Sequence, residues 1–506
     1  PAKFTDILAQ CGLDPVVDEQ LTNTQRLRNL DELLSSMGAQ VAVIENEYFD
    51  RDYIEDYARY YARCHKLYDR RCVRAHMFDK VFLLEDVKRL ILSSGDEATR
   101  ELQAHYLGFV VIRPLKKTVV GRTCLRMPEN SQMMLLAKRR VTVSFFGCPL
   151  SVECMPFQEQ DKAVSACATS ALWSAVQVTS CLFGHCNVSP SRITELATEL
   201  GISFGRVMPN NHGLTIEEML HAVRRVGLDV VCVRLTDRGM PLRKSIILGN
   251  LYAYLHAGLP LILVGKLLPD SPMTQTDCAM HDMHAIAVCG YCKSDDGSSG
   301  IVQRPQLLAA SVLDVVANDD QIGVYEKLRV KGSFATTDFA TRWEKNGHKL
   351  GFQVRYLIVP VYHKIRVSYE DAWNVLLGFD RMLRTYVKGV SIRWSIVLSL
   401  SNDFKQRVRT MSDISDDAKL DVLTASLPRY IWEVRAFYGD KENAVFCIDA
   451  TDAGQGLEIG RSLFRGVDLV DIVETMPFKD PIKDNPLFNA CLEAVKIRKS
   501  YENQLV

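Results

Sequence analysis

The sequence has little of what marks several large classes of protein. No stretch approaches the ~18 consecutive apolar residues of a membrane-spanning helix, and there is neither a fixed-period repeat nor a low-complexity tract. The 61 Lys and Arg residues balance 61 Asp and Glu residues, so no overall field attracts the chain to nucleic acid or to an anionic bilayer. These absences predict a soluble protein without a membrane partner.

Cysteine usage argues against a secreted protein. The 15 cysteines are odd in number and scattered over the whole length, whereas disulfide frameworks are typical of small secreted domains. Residues 1–13 contain Asp6 and lack the basic-then-apolar order of a signal peptide. We therefore expect reduced thiols and a cytoplasmic location.

Length and element pattern together indicate a multidomain chain. At roughly 150 residues per domain, the length predicts about three domains. Region 1–150 reads as mainly helical with strands towards its end, region 151–335 has helices followed by strands, and region 336–506 is mixed α/β. Helices followed by strands indicate an α+β fold for the central domain.

The central region contains the most distinctive predicted helix. Residues 165–183 are apolar on nearly every side, which predicts a helix enclosed by other elements. Ser189 before Pro190 marks the start of a second helix, and Thr215 three residues before Glu218 marks a third. Apolar runs at 259–264 and 284–289 then predict strands.

Polar residues of this region have the chemistry of a nucleophilic site. Cys167 lies in the first turn of the enclosed helix, where the helix dipole favours a thiolate. His284 begins a strand and can offer one ring nitrogen to the sulfur and the other to an orienting carboxylate or amide. Asn318, Asp319 and Asp320 are alternatives for that orienting role, and we choose Asp319.

The same chemistry needs donors for a developing oxyanion. The Cys167 backbone N–H and the carboxamide of Gln160, seven residues earlier, are suitable donors. Gln158 competes with Gln160 for this role.

In this order the residues resemble a known family. The segment from Gln160 to about Gly323 resembles the papain-like fold, most closely its bacteriocin-processing, C39-like branch, over about a third of the chain. In that branch a Gln precedes the Cys of the central helix, two further helices follow, and a His-Ala-hydrophobic-Val-x-Gly-Tyr strand comes before the last triad residue. The corresponding stretches here are 193–197, 213–220, 257–264, 284–291 and 318–319.

The resemblance implies a central Cys-bearing helix packed on an antiparallel sheet, and a cysteine peptidase without cofactor or metal. It implies that Cys167 attacks a peptide or isopeptide carbonyl and that His284 holds the thiolate and then protonates the leaving amine. Asp319 would orient the imidazole, and Gln160 would stabilise the oxyanion. The expected partner is a protein or peptide substrate.

Two other functions are compatible with the same residues. A transglutaminase- or amidase-type enzyme would pass the thioester to an amine instead of water. A catalytically silent papain-like module would keep the residues and bind a partner without cleaving it.

Metal and nucleotide sites have weaker support. His281, His284, Cys289 and Cys292 make a four-ligand set, but side chains alternate along a strand, so Cys289 and Cys292 are expected on opposite faces. No glycine-rich loop matches a nucleotide fingerprint. We therefore predict neither a metal nor a nucleotide cofactor.

Residues 50–76 interleave tyrosines with arginines, a mixture that can stack bases and hold phosphates. Acidic side chains such as Asp52 and Glu55 dilute it. We favour tyrosines packed against a salt-bridged helix face, and we do not predict nucleic acid as a partner.

Overall fold

The computed structural model describes the chain except residues 1–2, 14–24, 94–95, 130–131, 162, 200–206, 210–212, 236–239, 270–282, 294–304, 332–336, 346, 387–391, 455–456, 458, 467, 475, 477–484 and 505–506. Helices and strands both occur throughout the described residues, so the architecture is α+β, as predicted.

The α-helices of these residues are α1 Phe4–Gln10, α2 Gln25–Ser36, α3 Arg51–Arg59, α4 Leu84–Leu92, α5 Asp96–Ala104, α6 Cys167–Phe183, α7 Pro190–Thr198, α8 Ile216–Arg225, α9 Met240–His256, α10 Tyr369–Tyr386, α11 Ser401–Thr410, α12 Asp416–Thr424, α13 Asp468–Glu474 and α14 Pro486–Gln504. The strands are β1 Val41–Tyr48, β2 Cys72–Phe78, β3 Tyr106–Ile112, β4 Val120–Leu125, β5 Met133–Leu135, β6 Arg139–Phe145, β7 Cys148–Cys154, β8 Asp229–Arg234, β9 Leu261–Pro269, β10 Met283–Lys293, β11 Gln306–Leu307, β12 Val312–Asp319, β13 Gly323–Val330, β14 Phe339–Lys345, β15 His348–Val361, β16 Ile392–Leu400, β17 Tyr430–Tyr438, β18 Lys441–Asp449 and β19 Ile459–Phe464.

The chain divides into two compact units that differ from the three predicted regions. The first unit comprises residues 1–237, 259–293 and 313–360, and the second comprises 238–258, 294–312 and 361–506. The predicted boundary at 150/151 falls inside the first unit. The boundary at 335/336 does so too, because β14 and β15, which follow it, pair with each other and β15 pairs with β9.

A closed barrel forms the centre of the first unit. Six strands follow one another in the order β12, β13, β14, β15, β9 and β10, and β10 returns to pair with β12. The strands β5 and β8 extend this sheet by pairing with β10 and β15 respectively. The predicted antiparallel sheet is therefore present, but it closes on itself.

Helix α6 packs against β10 and β9 of the barrel. Its apolar faces explain this position, because residues 168–180 are buried on every side. The Trp173 indole Nε1 also donates a hydrogen bond to the Asp52 carboxylate at 3.1 Å. The predicted helix starts are confirmed at α7, where Ser189 caps and Pro190 follows, and at α8, where Thr215 and Glu218 form a capping box.

One glycine of the barrel permits a close approach of strands. Gly265 of β9 is the register partner of His284 on β10. A Cβ atom at Gly265 would lie 2.2 Å from the Gln353 carbonyl oxygen of β15. Only glycine therefore allows β9 and β15 to run this close together beside His284.

Strands begin much earlier in the N-terminal region than predicted. The strands β1 to β4 form an antiparallel sheet in chain order, so the expectation of strands only towards the end of region 1–150 is wrong. In residues 50–76 the helix ends at Arg59, and β2 begins at Cys72. The tyrosines between them pack together, with the ring centroids of Tyr61 and Tyr68 4.9 Å apart.

The second unit is built on a mixed sheet in the order β11, β16, β17, β18 and β19. Only the β11–β16 pairing is parallel. Trp394 of β16 and Trp432 of β17 are fully buried. None of the helices in the described part of the chain has the length and apolar content needed to cross a membrane.

Candidate active site

Cys167 lies where an enclosed helix reaches accessible space. It is the first residue of α6, and the preceding N-cap residue, Ala166, provides no side-chain cap. The helix behind it is buried, whereas Cys167 is partly exposed. Its Sγ lies 4.0 Å from the carbonyl oxygen of Met283. The start of α6 therefore meets the start of β10.

His284, the second residue of β10, links the sulfur to a carboxylate. Its side chain is buried, and its Nε2 lies 3.1 Å from Oδ1 of Asp319. His284 also hydrogen-bonds to the Cys167 thiol, and because Nε2 faces Asp319, Nδ1 is the ring nitrogen left for that contact. The imidazole thus has the two neighbours that fix its orientation.

Asp319 is the last residue of β12, and both oxygens of its carboxylate accept hydrogen bonds. Oδ1 accepts a second hydrogen bond from the Gln321 backbone N–H at 3.0 Å. Oδ2 accepts from the Trp343 indole Nε1 at 2.9 Å. The Trp343 ring also lies edge-on to the His284 ring, with centroids 5.1 Å apart. These contacts hold the carboxylate in place against the imidazole.

The charges of His284 and Asp319 stabilise each other. Burial alone would lower the pKa of His284, but attraction to Asp319 and hydrogen bonds to Asp319 and Cys167 raise that pKa well above its usual value. Burial would raise the pKa of Asp319, but attraction to His284 and the three hydrogen bonds lower it. The arrangement therefore favours a protonated imidazole beside an ionised Asp319 carboxylate.

The two alternatives for the third residue have other surroundings. Asn318 donates from Nδ2 to the Met155 carbonyl at 3.0 Å and accepts from the Tyr325 backbone N–H at 3.2 Å, so its amide links β12 to β13 and to the segment after β7. Asp320 is buried, with Oδ1 4.0 Å from Nε2 of His284. Neither Asp320 oxygen has a hydrogen-bond partner among the described residues.

Asp320 is consequently an acid that resists ionisation. Burial and repulsion by Asp319 raise its pKa to about 7, although His284 and Arg26 attract the ionised form. The side chain is close enough to add negative charge near the imidazole when it ionises. It is not the hydrogen-bond acceptor of Nε2, which is Asp319.

The predicted oxyanion residues lie on the segment between β7 and α6. Gln158 and Gln160 are both buried. Within the part of the chain that the structure describes, Nε2 of Gln158 has no hydrogen-bond partner, and no hydrogen bond joins Gln160 to the group of Cys167, His284 and Asp319. The choice between the two glutamines therefore stays a prediction.

A neighbouring carboxylate shapes this segment. Oδ1 of Asp161 accepts hydrogen bonds from the backbone N–H groups of Ala163, Val164 and Ser165, each at 2.9 Å. Its Oδ2 accepts from the Tyr61 hydroxyl at 2.7 Å. Asp161 thus fixes the turn between Gln160 and Cys167. The sequence signal, an Asp followed by a turn, was present, but its partner Tyr61 is 100 residues away.

The alternative zinc set is only partly within the described residues. His281 lies outside them. The Cys289 thiol is buried and donates to the Val316 carbonyl at 3.5 Å. A different set, His284, Asp319 and Asp320, brings three possible ligand atoms within 4.8 Å of one another, but both Asp319 oxygens already accept hydrogen bonds.

No protein-family model and no curated protein matches the chain. The chemical interpretation of the site therefore depends on its own geometry.

Proposed function

We propose that the protein is a cysteine hydrolase with a papain-like catalytic arrangement, in which Cys167, His284 and Asp319 form the triad. The observation that supports it most strongly is the buried imidazole that contacts a partly exposed helix-start cysteine and, through Nε2, a carboxylate at 3.1 Å. Three chain segments far apart in sequence contribute these groups. A core histidine without a chemical role needs neither an accessible thiol nor a fully engaged carboxylate.

The proposed reaction proceeds through a thioester. His284 takes the thiol proton, and the Cys167 thiolate attacks the acyl carbon of a peptide or isopeptide bond. The C–N bond breaks as the imidazolium protonates the leaving amine. His284 then removes a proton from water, which attacks the thioester, releases the acid and restores the thiol.

Two donors are assigned to the oxyanion of both tetrahedral intermediates. They are the backbone N–H of Cys167 and the carboxamide of Gln160, with Gln158 as the alternative. The N–H at the start of a helix has no intrahelical partner, so it is available for this role. Removing one such side-chain donor costs about 10²-fold or more in turnover in enzymes of this type.

The chain contains its own control for a test of the nucleophile. Cys181 lies in the same helix, near its other end, and is exposed, whereas Cys167 is only partly exposed. We expect iodoacetamide at pH 6 to alkylate Cys167 much faster than Cys181, as measured by peptide mass mapping of the full chain. Equal rates at the two cysteines would contradict the proposal.

The reaction class needs a second experiment. A mixed peptide library incubated with the full chain should yield new amino termini that the Cys167→Ala variant does not produce. Addition of a primary amine should leave free acids as the main products. Amide products would indicate acyl transfer, and unchanged peptides with retained binding would indicate a silent module.

A further inference from the structure

Helix α2 contacts the segments that carry Gln160 and Asp319, two of the proposed catalytic residues, although it lies far from them in sequence. Its polar side chains at positions 26, 29 and 32 each reach a different segment of the first unit. The three segments contain Glu159, which precedes Gln160, the turn that follows Asp319, and Arg342, which precedes Trp343.

The first contact is with the segment of Gln160. Arg26 forms an ion pair with Glu159, 2.5 Å from Nη2 to Oε1, and the Glu159 side chain is almost fully buried. The other oxygen of Glu159 accepts from the Val120 backbone N–H at 3.1 Å. Arg26 therefore fixes one face of the residue adjacent to Gln160.

The second contact is with the turn that follows Asp319. Asn29 is buried, and its Nδ2 donates to the Ile322 carbonyl at 2.9 Å. The Ile322 backbone N–H in turn donates to the Asp319 carbonyl at 3.1 Å. Asn29 thus closes the turn that presents Asp319 to His284.

The third contact is with the strand of Trp343. Arg342 donates to Oδ1 of Asn29 and to Oε2 of Glu32, both at 3.1 Å. The next residue, Trp343, donates to Asp319. Asn29 and Glu32 therefore contact the segments that support the Asp319 carboxylate, and Arg26 contacts the residue next to Gln160.

We propose that α2 is a built-in clamp of the active site and that Arg26 and Asn29 are positioning residues for the proposed hydrolysis. The clamp holds the Gln160 segment and the Asp319 turn at fixed distances from Cys167. The charge of Arg26 also faces Asp320, together with Glu159, Asp319 and His284. This inference rests on the proposed function, since it assigns a role in that reaction.

The test compares two arginines of the same helix in the full chain. Arg26→Gln removes the contact with Glu159, whereas the one contact of Arg28 with the described residues is an exposed hydrogen bond to Gln25, which Arg28→Gln removes. We expect Arg26→Gln to lower the ratio of Cys167 to Cys181 alkylation at pH 6 by about five- to tenfold. Arg28→Gln should leave the ratio unchanged, and Arg26→Lys should restore most of it.

Thermal unfolding of each variant separates positioning from folding. A loss of melting temperature in Arg26→Gln with an alkylation ratio within twofold of the parent would overturn the clamp. The same would follow if Arg28→Gln or Arg26→Lys reduced the ratio as much as Arg26→Gln.

A second readout keeps the two proposals distinguishable. If the parent protein shows no preference for Cys167, the proposed function fails, and amide hydrogen exchange then tests the clamp alone. Exchange at residues 157–161 and 319–322 should accelerate in Arg26→Gln relative to Arg28→Gln. Equal exchange in the two variants would refute the clamp.

Discussion

Each of the two compact units contains buried carboxylates, but different cations balance their negative charge. In the second unit, the fully buried Glu433 is flanked by Arg407 and Arg435, two permanent cations. In the first unit, Asp319 and Asp320 share a single histidine. Burial would raise the pKa of Glu433, but the two arginines lower it. A pair of arginines makes an inert structural site, whereas one imidazole leaves a site that can exchange a proton.

The largest effect should come from removing the titratable partner. Under the proposed function, His284→Asn removes the imidazolium that would stabilise a Cys167 thiolate, and the cysteine should then react as an ordinary thiol. Because an isolated cysteine ionises near pH 8.5, alkylation of Cys167 at pH 5 should fall by about 10³-fold. Mass mapping against Cys181 measures this, and an unchanged rate would show that the histidine does not activate the sulfur.

The second-largest effect concerns the structural site. Glu433→Gln leaves Arg407 and Arg435 without their buried anion, so the free energy of unfolding at pH 7 should fall by about 3 kcal/mol. The pKa of Glu433 is lowered in the folded state, so its contribution is present above the unfolded value of about 4.3 and is lost as the pH falls further.

Urea denaturation at pH 7 and pH 4 tests this prediction. The difference between parent and variant should shrink at the lower pH. The ratio of Cys167 to Cys181 alkylation should be the same in Glu433→Gln as in the parent. A change in this ratio would contradict the view that the site of Glu433 is structural and separate from the reactive site.

Substitution of Asp320 should have a smaller effect on the free energy of unfolding, opposite in sign to that of Glu433→Gln. Because its pKa is raised to about 7 in the folded protein, its contribution to stability is fully present below the unfolded value and is lost as the pH rises towards 7. Asp320→Asn should therefore be more stable than the parent at pH 8, on the order of 2 kcal/mol, with the gain shrinking towards pH 4. A destabilised variant at pH 8 would show that Asp320 has a stabilising partner when ionised.

The smallest effect tests the acceptor of Nε2. Asp319→Asn keeps the shape of the side chain but removes the charge that raises the pKa of His284. The midpoint of the His284 Cε1–H signal in an NMR titration should fall by about one pH unit, a size typical of losing one close charge. A midpoint that moves in Asp320→Asn and not in Asp319→Asn would reverse the two assignments.

The parts of the site that depend on local signals were predictable. Cys167 at a helix start and His284 at a strand start follow from the apolar patterns around them. The choice between Asp319 and Asp320 did not follow from strand periodicity, because the pairing of β12 with β13 has an irregularity between Ala317 and Asp319. That irregularity changes which face each side chain occupies.

The supporting residues had no local signal. Trp343 lies beyond the predicted boundary at 335/336 and reaches Asp319 only because β14 belongs to the barrel. Asn29 contacts Ile322 across 293 residues of sequence. Such contacts depend on tertiary pairing, which composition and periodicity do not encode.

Closure of the barrel restricts how a substrate of the proposed hydrolase could bind beside His284. β10 pairs with β9 over residues 283–288 and also with β12, which closes the barrel, so neither edge of this strand is left open at the pairing. An extended peptide cannot add to β10 as an extra strand, which is a common mode of peptide recognition. We therefore expect the proposed hydrolase to recognise a peptide substrate through its side chains, its terminus or its folded surface.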